Sequence, residues 1–297
     1  MKSLLASVLL AVSWPCAATL NVFACTPEWG ALARELGGDK VTVYNATTAL
    51  QDPHRIEARP SLIARARSAD LVVCTGAELE IGWLPLVISQ SGNARIRPGQ
   101  PGYFDAADFV ALIEKPVRLD RSLGDIHAAG NPHIHLDPRN VAEVAAGLGE
   151  RMAALDSSNR KLFEERTRSF LVRWRQATAQ WEKTAAPLKG FPIVVHHKTF
   201  SYLVAWLGMR EVGALEPKPG LPPSTASLTE LLVQLKKTPA KAVVRAAYED
   251  PRPSAWLAER AGIPAVMLPF TVGGTDKAKD LFSLYDDTLT RLLAVAK

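Results

Sequence analysis

Short apolar runs alternate with longer amphipathic stretches through the first third of the chain. The runs at residues 20–25, 41–44 and 71–74 are brief and rich in Val and Leu, and they predict buried strands. The stretches between them predict helices, and these cover residues 28–36, 61–68 and 83–91. Because short buried strands separated by helices are typical of parallel βα units, we expect a parallel sheet here.

The same alternation returns in the last third of the chain. Strands are predicted at residues 192–195, 242–244 and 265–268, with helices at 200–207, 227–236, 254–261 and 281–296. The fold class that follows is α/β, with two βα lobes built on parallel sheets. In open sheets of this kind ligands bind beyond the carboxyl ends of the strands.

The middle of the chain connects the two patterns. A loop-rich stretch at residues 92–131 precedes a helical pattern at 140–155. Residues 159–186 then contain neither Gly nor Pro and predict a helix roughly 40 Å long. Such a helix could span both lobes as a rigid link or pack on one lobe as an ordinary amphipathic helix. We divide the chain into a first lobe at 19–155, a linking helix at 156–187 and a second lobe at 188–297.

The N-terminus is typical of a secretory signal peptide. Lys2 is followed by a short apolar run and then by Pro15-Cys16-Ala17-Ala18, and we expect cleavage after Ala18. The alternative is a lipoprotein with lipid on Cys16, which the bulky residues before that cysteine disfavour. The run is too short for a transmembrane helix, which needs about 20 residues. We therefore expect the protein to be exported to the periplasm.

Composition excludes one class of function. The chain has 297 residues, of which 47% are hydrophobic, and a formal net charge of +5. Acidic and basic residues are interspersed, and no dense run of Lys or Arg occurs. Nucleic-acid binding therefore has little support.

Two of the three cysteines end predicted strands. Cys25 closes the first strand and Cys74 the third. An even pair in an oxidising compartment predicts a disulfide, provided that the two strands are neighbours in the sheet. The weaker alternative is that both thiols are metal ligands.

The six histidines lie in three short segments. His54 stands alone, His127, His133 and His135 form the second segment, and His196 and His197 form the third. Neutral imidazole is the commonest protein ligand of d-block metals. Three separated loops that each offer histidine predict a metal site at the lobe interface.

Several ordered motifs resemble the metal-binding receptors of zinc and manganese ABC uptake transporters, over nearly the whole mature chain. The motifs are Asp52-Pro53-His54, the stretch from Cys74 to Trp83, the stretch from Asn131 to Pro138, the stretch from Val195 to Tyr202, and the Pro-rich loop from Glu216 with its following helix. The resemblance implies a solute-binding protein that hands its ion to a membrane permease, and no enzymatic activity. A periplasmic metallochaperone is a further candidate partner, and we expect a monomer.

The resemblance also implies the metal ligands. It assigns His54, His133 and His197, with a carboxylate near the end of the chain as the fourth. Asp280, directly before the C-terminal helix, matches that carboxylate better than Asp276 does, although Asp280 could also be only a helix N-cap.

This ligand set favours zinc as the bound ion. Three imidazoles and one carboxylate suit tetrahedral Zn²⁺, whereas Mn²⁺ prefers more oxygen. Manganese-binding members of the family place a carboxylate after the strand at 242–244, where this chain has Arg245. Glu249 and Asp250 lie close enough in sequence to keep manganese, or iron, as the alternative cargo.

The remaining histidines have accessory interpretations. His135 stands where the family has Trp and, on a strand-like segment, would point to the same side as His133, as a partner of the ligands, an alternative ligand or a polar replacement. His196 should face away from the site and be structural. His127 lies in the loop where zinc-binding members of the family carry metal-capturing residues.

Two other functional classes remain to be weighed. A zinc hydrolase needs an open coordination position and a general base, and neither a His-Glu-x-x-His nor a Gly-x-Ser-x-Gly motif occurs. A receptor for haem or a siderophore shares the two-lobe architecture but does not require histidines in three loops.

Overall fold

Both lobes are parallel sheets flanked by helices. The computed structural model describes residues 19–116 and 127–297, so the expected signal peptide, with Cys16, lies outside the described residues. Each sheet has four strands, and every strand pair is parallel. Across the first sheet the strands follow in the order 41–45, 20–24, 71–74 and 103–105, and across the second in the order 210–214, 192–195, 242–246 and 265–268. The predicted α/β two-lobe fold is confirmed.

The first lobe follows the predicted alternation closely. Its elements are β1 (Leu20–Ala24), α1 (Pro27–Gly37), β2 (Val41–Asn45), α2 (Pro60–Arg67), β3 (Leu71–Cys74), α3 (Leu84–Ser91) and β4 (Tyr103–Asp105). Proline at the start of α1, α2 and α3 suits the first helical turn, where no amide donor is needed. The strand β4 lies within the stretch that was expected to be loop. It is a three-residue edge strand, too short to produce an alternating pattern.

The second lobe repeats the arrangement. Its elements are β5 (Pro192–Val195), α6 (Ser201–Leu207), β6 (Arg210–Ala214), α7 (Thr225–Lys237), β7 (Ala242–Ala246), α8 (Pro251–Ala261), β8 (Ala265–Leu268) and α9 (Leu281–Val295). The edge strand β6 was not predicted. Only one residue of this strand is buried. The strand can therefore contain Arg210, Glu211 and Gly213, and it shows no apolar run.

Two helices connect the sheets, α4 (Pro138–Leu155) and α5 (Arg160–Thr184). The 25 residues of α5 extend about 37 Å. Near its start, Arg166 donates to Asp39 of the first lobe at 2.8 Å. Near its end, Trp181 donates to Asp286 of α9 at 2.7 Å. The helix therefore spans both lobes.

One hydrophobic core runs through both lobes along α5. Phe170 and Trp174 of this helix belong to the same buried cluster as Val22 of β1 and Val195 of β5. Burial of this apolar surface opposes any separation of the lobes. Among the described residues, no helix combines the length and the apolar composition that crossing a bilayer requires.

Cys25 and Cys74 form a disulfide, as predicted. Their strands β1 and β3 are neighbours in the sheet, the two Cα atoms lie 4.8 Å apart, and both residues are fully buried. The bond closes a segment with a sequence separation of 49 residues that includes the loop of His54. It therefore holds together the sheet edge from which that loop leaves.

We expect replacement of both cysteines, Cys25→Ala with Cys74→Ala, to lower the free energy of unfolding by about 2–4 kcal/mol, because the unfolded chain regains the entropy of a long loop. Guanidinium unfolding of the two proteins measures the difference. A reductant should destabilise the wild type and leave the double variant unchanged. Equal stability of the two proteins would contradict a structural role for the bond.

Candidate metal centre

His54 occupies a turn beyond the carboxyl end of β2. The Asp52 carboxylate accepts hydrogen bonds from the backbone nitrogen of His54 at 3.0 Å and from its Nδ1 at 2.8 Å. The indole of Trp83 donates to the carbonyl of Pro53 at 3.1 Å and so fixes the turn. Since a carboxylate only accepts, Nδ1 carries the proton, and Nε2 presents its lone pair.

His197 is held in the same way from the second lobe. It follows β5, and its Nδ1 donates to Glu216 Oε2 at 2.7 Å. Glu216 follows the neighbouring strand β6 and also accepts from the backbone of Gly220 at 2.8 Å. Burial alone would lower the pKa of His197, but Glu216 reverses this effect and raises it. Histidine ligands of metals are commonly oriented by such a carboxylate.

His133 lies between these two histidines, in the segment that leads into α4. It is 1% exposed, and its backbone nitrogen donates to the Asn131 side chain at 2.9 Å. Neither ring nitrogen has a hydrogen-bond partner within residues 19–116 and 127–297. Burial lowers the pKa of His133 well below its usual value, and the nearby His54 and His197 lower it further. The imidazole is therefore neutral, as a metal ligand must be.

The three histidines converge on one point. One ring nitrogen from each of His54, His133 and His197 lies within 4.8 Å of the other two. The ring centroids of these residues are 5.3 to 5.8 Å apart. Nε2 of His54 is buried and, in the described part of the chain, has no hydrogen-bond partner. Buried nitrogens that face one another without partners are what an ion held by all three would explain.

His127 lies beside this group. Its ring centroid is 5.3 Å from that of His54, and its Nε2 is likewise buried without a partner among the described residues. It lines a cavity of about 190 Å³ together with His133 and His197. Burial and the neighbouring histidines lower the pKa of His127 to about 4. The structure thus places a fourth imidazole beside His54, outside the close group that the other three histidines form.

Asp280 and Asp276 are not brought to the histidines. Asp280 is exposed and caps α9, since its Oδ1 accepts from the backbone nitrogen of Ser283 at 2.7 Å. Asp276 is also exposed. Within residues 19–116 and 127–297, the close group that includes His133 contains neither carboxylate.

His135 does not lie on a strand, contrary to expectation, but in a single 3₁₀ turn at Ile134–Leu136. Its Nε2 is 2.9 Å from the carbonyl of Phe270, and its Nδ1 is 3.5 Å from a carboxylate oxygen of Glu28. The ring is buried, and it is not part of the close group of three histidines.

A cleft of about 660 Å³ opens beside the histidines. His54 and His197 line it, and so does His196, which stays outside the group of three. Glu249 lines it too, and burial raises the pKa of this carboxyl to about 7. The guanidinium of Arg245 donates hydrogen bonds to the carbonyl oxygens of Ala246 and Glu249, at 3.0 and 3.2 Å. The cleft thus adjoins two of the three converging histidines.

Two carboxylates of the site escaped the sequence analysis. Asp52 could have been found, because Asp-Pro-His places a carboxylate two residues before a candidate ligand. Glu216 is 19 residues from His197, and only the pairing of β5 with β6 brings them together.

Comparison with known proteins identifies relatives along the whole chain. The family model of ZnuA, the periplasmic zinc-uptake complex component A, matches residues 22–295. The manganese ABC transporter substrate-binding lipoprotein scaA of Streptococcus gordonii is 24% identical over 279 residues, which cover 90% of this chain and 84% of the relative. The iron ABC transporter substrate-binding lipoprotein MtsA of Streptococcus pyogenes serotype M1 is 22% identical over 276 residues, with the same coverage.

Solved structures share the fold. A crystal structure of ZnuA superimposes with a TM-score of 0.76 at 21% identity, over 92% of this chain and 99% of that one. The Cd-bound periplasmic metal-binding protein from Candidatus Liberibacter asiaticus gives 0.75 at 17% identity, over 93% and 99%. The relatives are named for different metals, so their names do not identify the ion bound here.

The lowered pKa of His127 predicts how one substitution changes the pH dependence of stability. In the metal-free protein, the unfolded chain protonates His127 near pH 6.5 but the folded chain only near pH 4. Stability is therefore lost as the pH falls through this window. His127→Gln should gain stability relative to the wild type over the same window, by up to about 3 kcal/mol.

Urea unfolding of both metal-free proteins across this pH range measures the effect. Only their difference isolates His127, because the raised pKa values of Glu80 and Glu249 change the stability of both proteins in the opposite direction. A constant difference between the two proteins would show that the ring is solvated.

Proposed function

Since the chain belongs to the ZnuA family of periplasmic zinc-uptake components, we propose that the ion it carries is Zn²⁺, held by His54, His133 and His197. As a member of this family it is the substrate-binding protein of a metal ABC transporter, with a permease and an ATPase as partners, and it is not an enzyme. The observation that carries the proposal is the convergence of three imidazoles on one point.

The donor atoms favour zinc over manganese. All three are ring nitrogens, which suit Zn²⁺, whereas Mn²⁺ prefers oxygen. The carboxylates of Asp52 and Glu216 are hydrogen-bonded to the Nδ1 atoms of their histidines. Among the described residues, Glu249 lies outside the close group, and its Oε2 accepts a hydrogen bond from the backbone of Ala246.

His127 is our proposed fourth ligand in place of Asp280. Its unpartnered Nε2 lies beside His54 and is already dehydrated, while the Asp280 carboxylate caps a helix in solvent. Four nitrogens close a tetrahedral shell around Zn²⁺.

The proposed ligands of the ion come from both lobes. His54 belongs to the first lobe, residues 19–155, and His197 to the second, residues 188–297. The linking helix within residues 156–187 and the common core favour movement of loops over movement of whole lobes during capture and release. We also propose export by a signal peptide at residues 1–18, with lipid on Cys16 as the alternative that the lipoprotein relatives keep open.

Metal analysis of the purified mature protein tests the cargo. We expect about one zinc per chain. His54→Ala, His133→Ala and His197→Ala should each weaken binding by more than the roughly 10–100-fold that loss of an outer partner costs. His196→Gln is the matched control and should bind as the wild type does. Bound manganese, or tight uptake of an organic chelate without metal, would refute zinc as the cargo.

The fourth ligand is tested by comparing two sites. His127→Ala should weaken zinc binding about tenfold, at the lower end of the range for supporting residues. Asp280→Ala should leave the affinity unchanged and lower the free energy of unfolding by about 1 kcal/mol, because a helix cap is lost. Asp280→Asn keeps the cap and should change neither quantity. Loss of zinc affinity in both Asp280 variants would restore Asp280 as the ligand.

A further inference from the structure

His133 lacks the polar anchor that the other two histidines of the centre have. Asp52 orients His54, and Glu216 orients His197. The ring of His133 receives no hydrogen bond from any part of the chain that the structure describes. Its orientation must therefore come from packing.

The ring that packs against it belongs to Phe270, two residues beyond the end of β8. The two ring centroids are 5.6 Å apart, and the planes meet at 85°, an edge-to-face contact. Phe270 is 1% exposed and makes a second edge-to-face contact with His135 at 4.8 Å. The position of Phe270 thus limits how His133 can turn.

His135 fixes Phe270 through the backbone. Its Nε2 lies 2.9 Å from the Phe270 carbonyl oxygen, and because a carbonyl only accepts, Nε2 carries the proton. On the other side of the ring, Nδ1 faces the Glu28 carboxylate at 3.5 Å. Only the bond to Phe270 is a hydrogen bond, because Nδ1 has no hydrogen-bond partner among the described residues. His135, a residue of the first lobe, is therefore bonded to a residue of the second.

Glu28 ties the same segments together a second time. It is fully buried, and its two carboxylate oxygens accept hydrogen bonds from the hydroxyls of Thr26 and Thr271. Thr26 precedes α1 in the first lobe, and Thr271 follows Phe270 in the second. Polar groups this deeply buried rigidify what they connect when they are satisfied.

We propose that His135 is a positioning residue for the metal centre: through the Phe270 carbonyl it holds the Phe270 ring against His133 and so pre-orients this ligand. The proposal rests on the function proposed above, since it assigns a role toward His133 as a zinc ligand. Pre-orientation removes ring freedom that binding would otherwise have to remove. It predicts an effect on metal affinity beyond any effect on folding.

Three variants separate the roles of the donor, the ring and the fold. His135→Leu removes the donor, His135→Gln keeps an N–H donor of similar reach, and Phe270→Leu removes the ring while leaving the carbonyl acceptor. Asn93→Ala is the control, because it deletes two buried hydrogen bonds to the carbonyls of Ala66 and Ala69, at the end of α2 and in the turn before β3. Zinc affinity, the Co²⁺ ligand-field spectrum and thermal stability are measured for each.

We expect His135→Leu and Phe270→Leu each to lose about 10–100-fold in zinc affinity, the range for outer partners of a metal site. Their combination should lose little more than either alone, because both act through one contact. His135→Gln should recover most of the affinity and the wild-type Co²⁺ spectrum, and Asn93→Ala should lose stability only. Wild-type affinity in His135→Leu, equal weakness of the Gln and Leu variants, or additive losses would each overturn the proposal.

The metal-free protein provides a second, independent test. Side-chain ¹⁵N–¹H correlation spectra should show one sharp set of His133 ring signals in the wild type and exchange-broadened signals in His135→Leu or, if that variant does not fold, in Phe270→Leu. Unchanged signals would refute pre-orientation. If the wild type bound no zinc, the proposed cargo would be wrong, yet this measurement would still decide whether His135 orders the ring.

Discussion

Imidazoles buried side by side are the constraint on which the rest of the molecule depends. Charging more than one of them would bring positive charges together in a poorly solvated place, and the lowered pKa of His133 expresses this cost. The carboxylates of Asp52 and Glu216 accept from Nδ1 of His54 and His197, which fixes both rings and leaves Nε2 as the nitrogen without a carboxylate partner. The negative charge thus lies behind the converging rings.

The frame around the centre keeps these groups in place. The core along α5 joins the lobes, so His54 and His197 face each other across a distance that packing has already set. In the first sheet, the disulfide closes the gap between β1 and β3, the point at which the strand order reverses. In the second sheet, the corresponding gap between β5 and β7 opens into the cleft beside His197. Residues of both lobes, among them His54 and His197, line that cleft.

Much of this arrangement could be predicted from the sequence. The βα alternation indicated two parallel sheets, and histidines in three separate loops predicted a common metal site. The choice of His54, His133 and His197 among the six came from the family resemblance. The paired cysteines followed from strand adjacency. Edge strands such as β4 and β6 escaped because a strand with one neighbour is only half buried and loses its apolar signature.

The positions of Asp280, His135 and Glu216 could not be predicted from the sequence, for physical reasons. A carboxylate before a helix looks the same whether it caps the helix or binds an ion, and in Asp280 the capping geometry is present. The side chain of His135 could not be aimed from sequence, because a 3₁₀ turn replaces the alternation of a strand. Glu216 depends on a strand pairing that no local motif encodes.

The aromatic column on the back of the centre has an optical consequence. The ring of Trp181 stacks on Tyr285 at 4.8 Å, Trp174 packs edge-on against both, and the Tyr285 hydroxyl donates to the backbone carbonyl of His135. Any shift of the 3₁₀ turn that follows His133 would therefore reach the two indoles through the Tyr285 ring. Because indole emission depends on the local field and on neighbouring rings, an ion that moved this turn would change the intrinsic fluorescence of the chain, without a dye or a label.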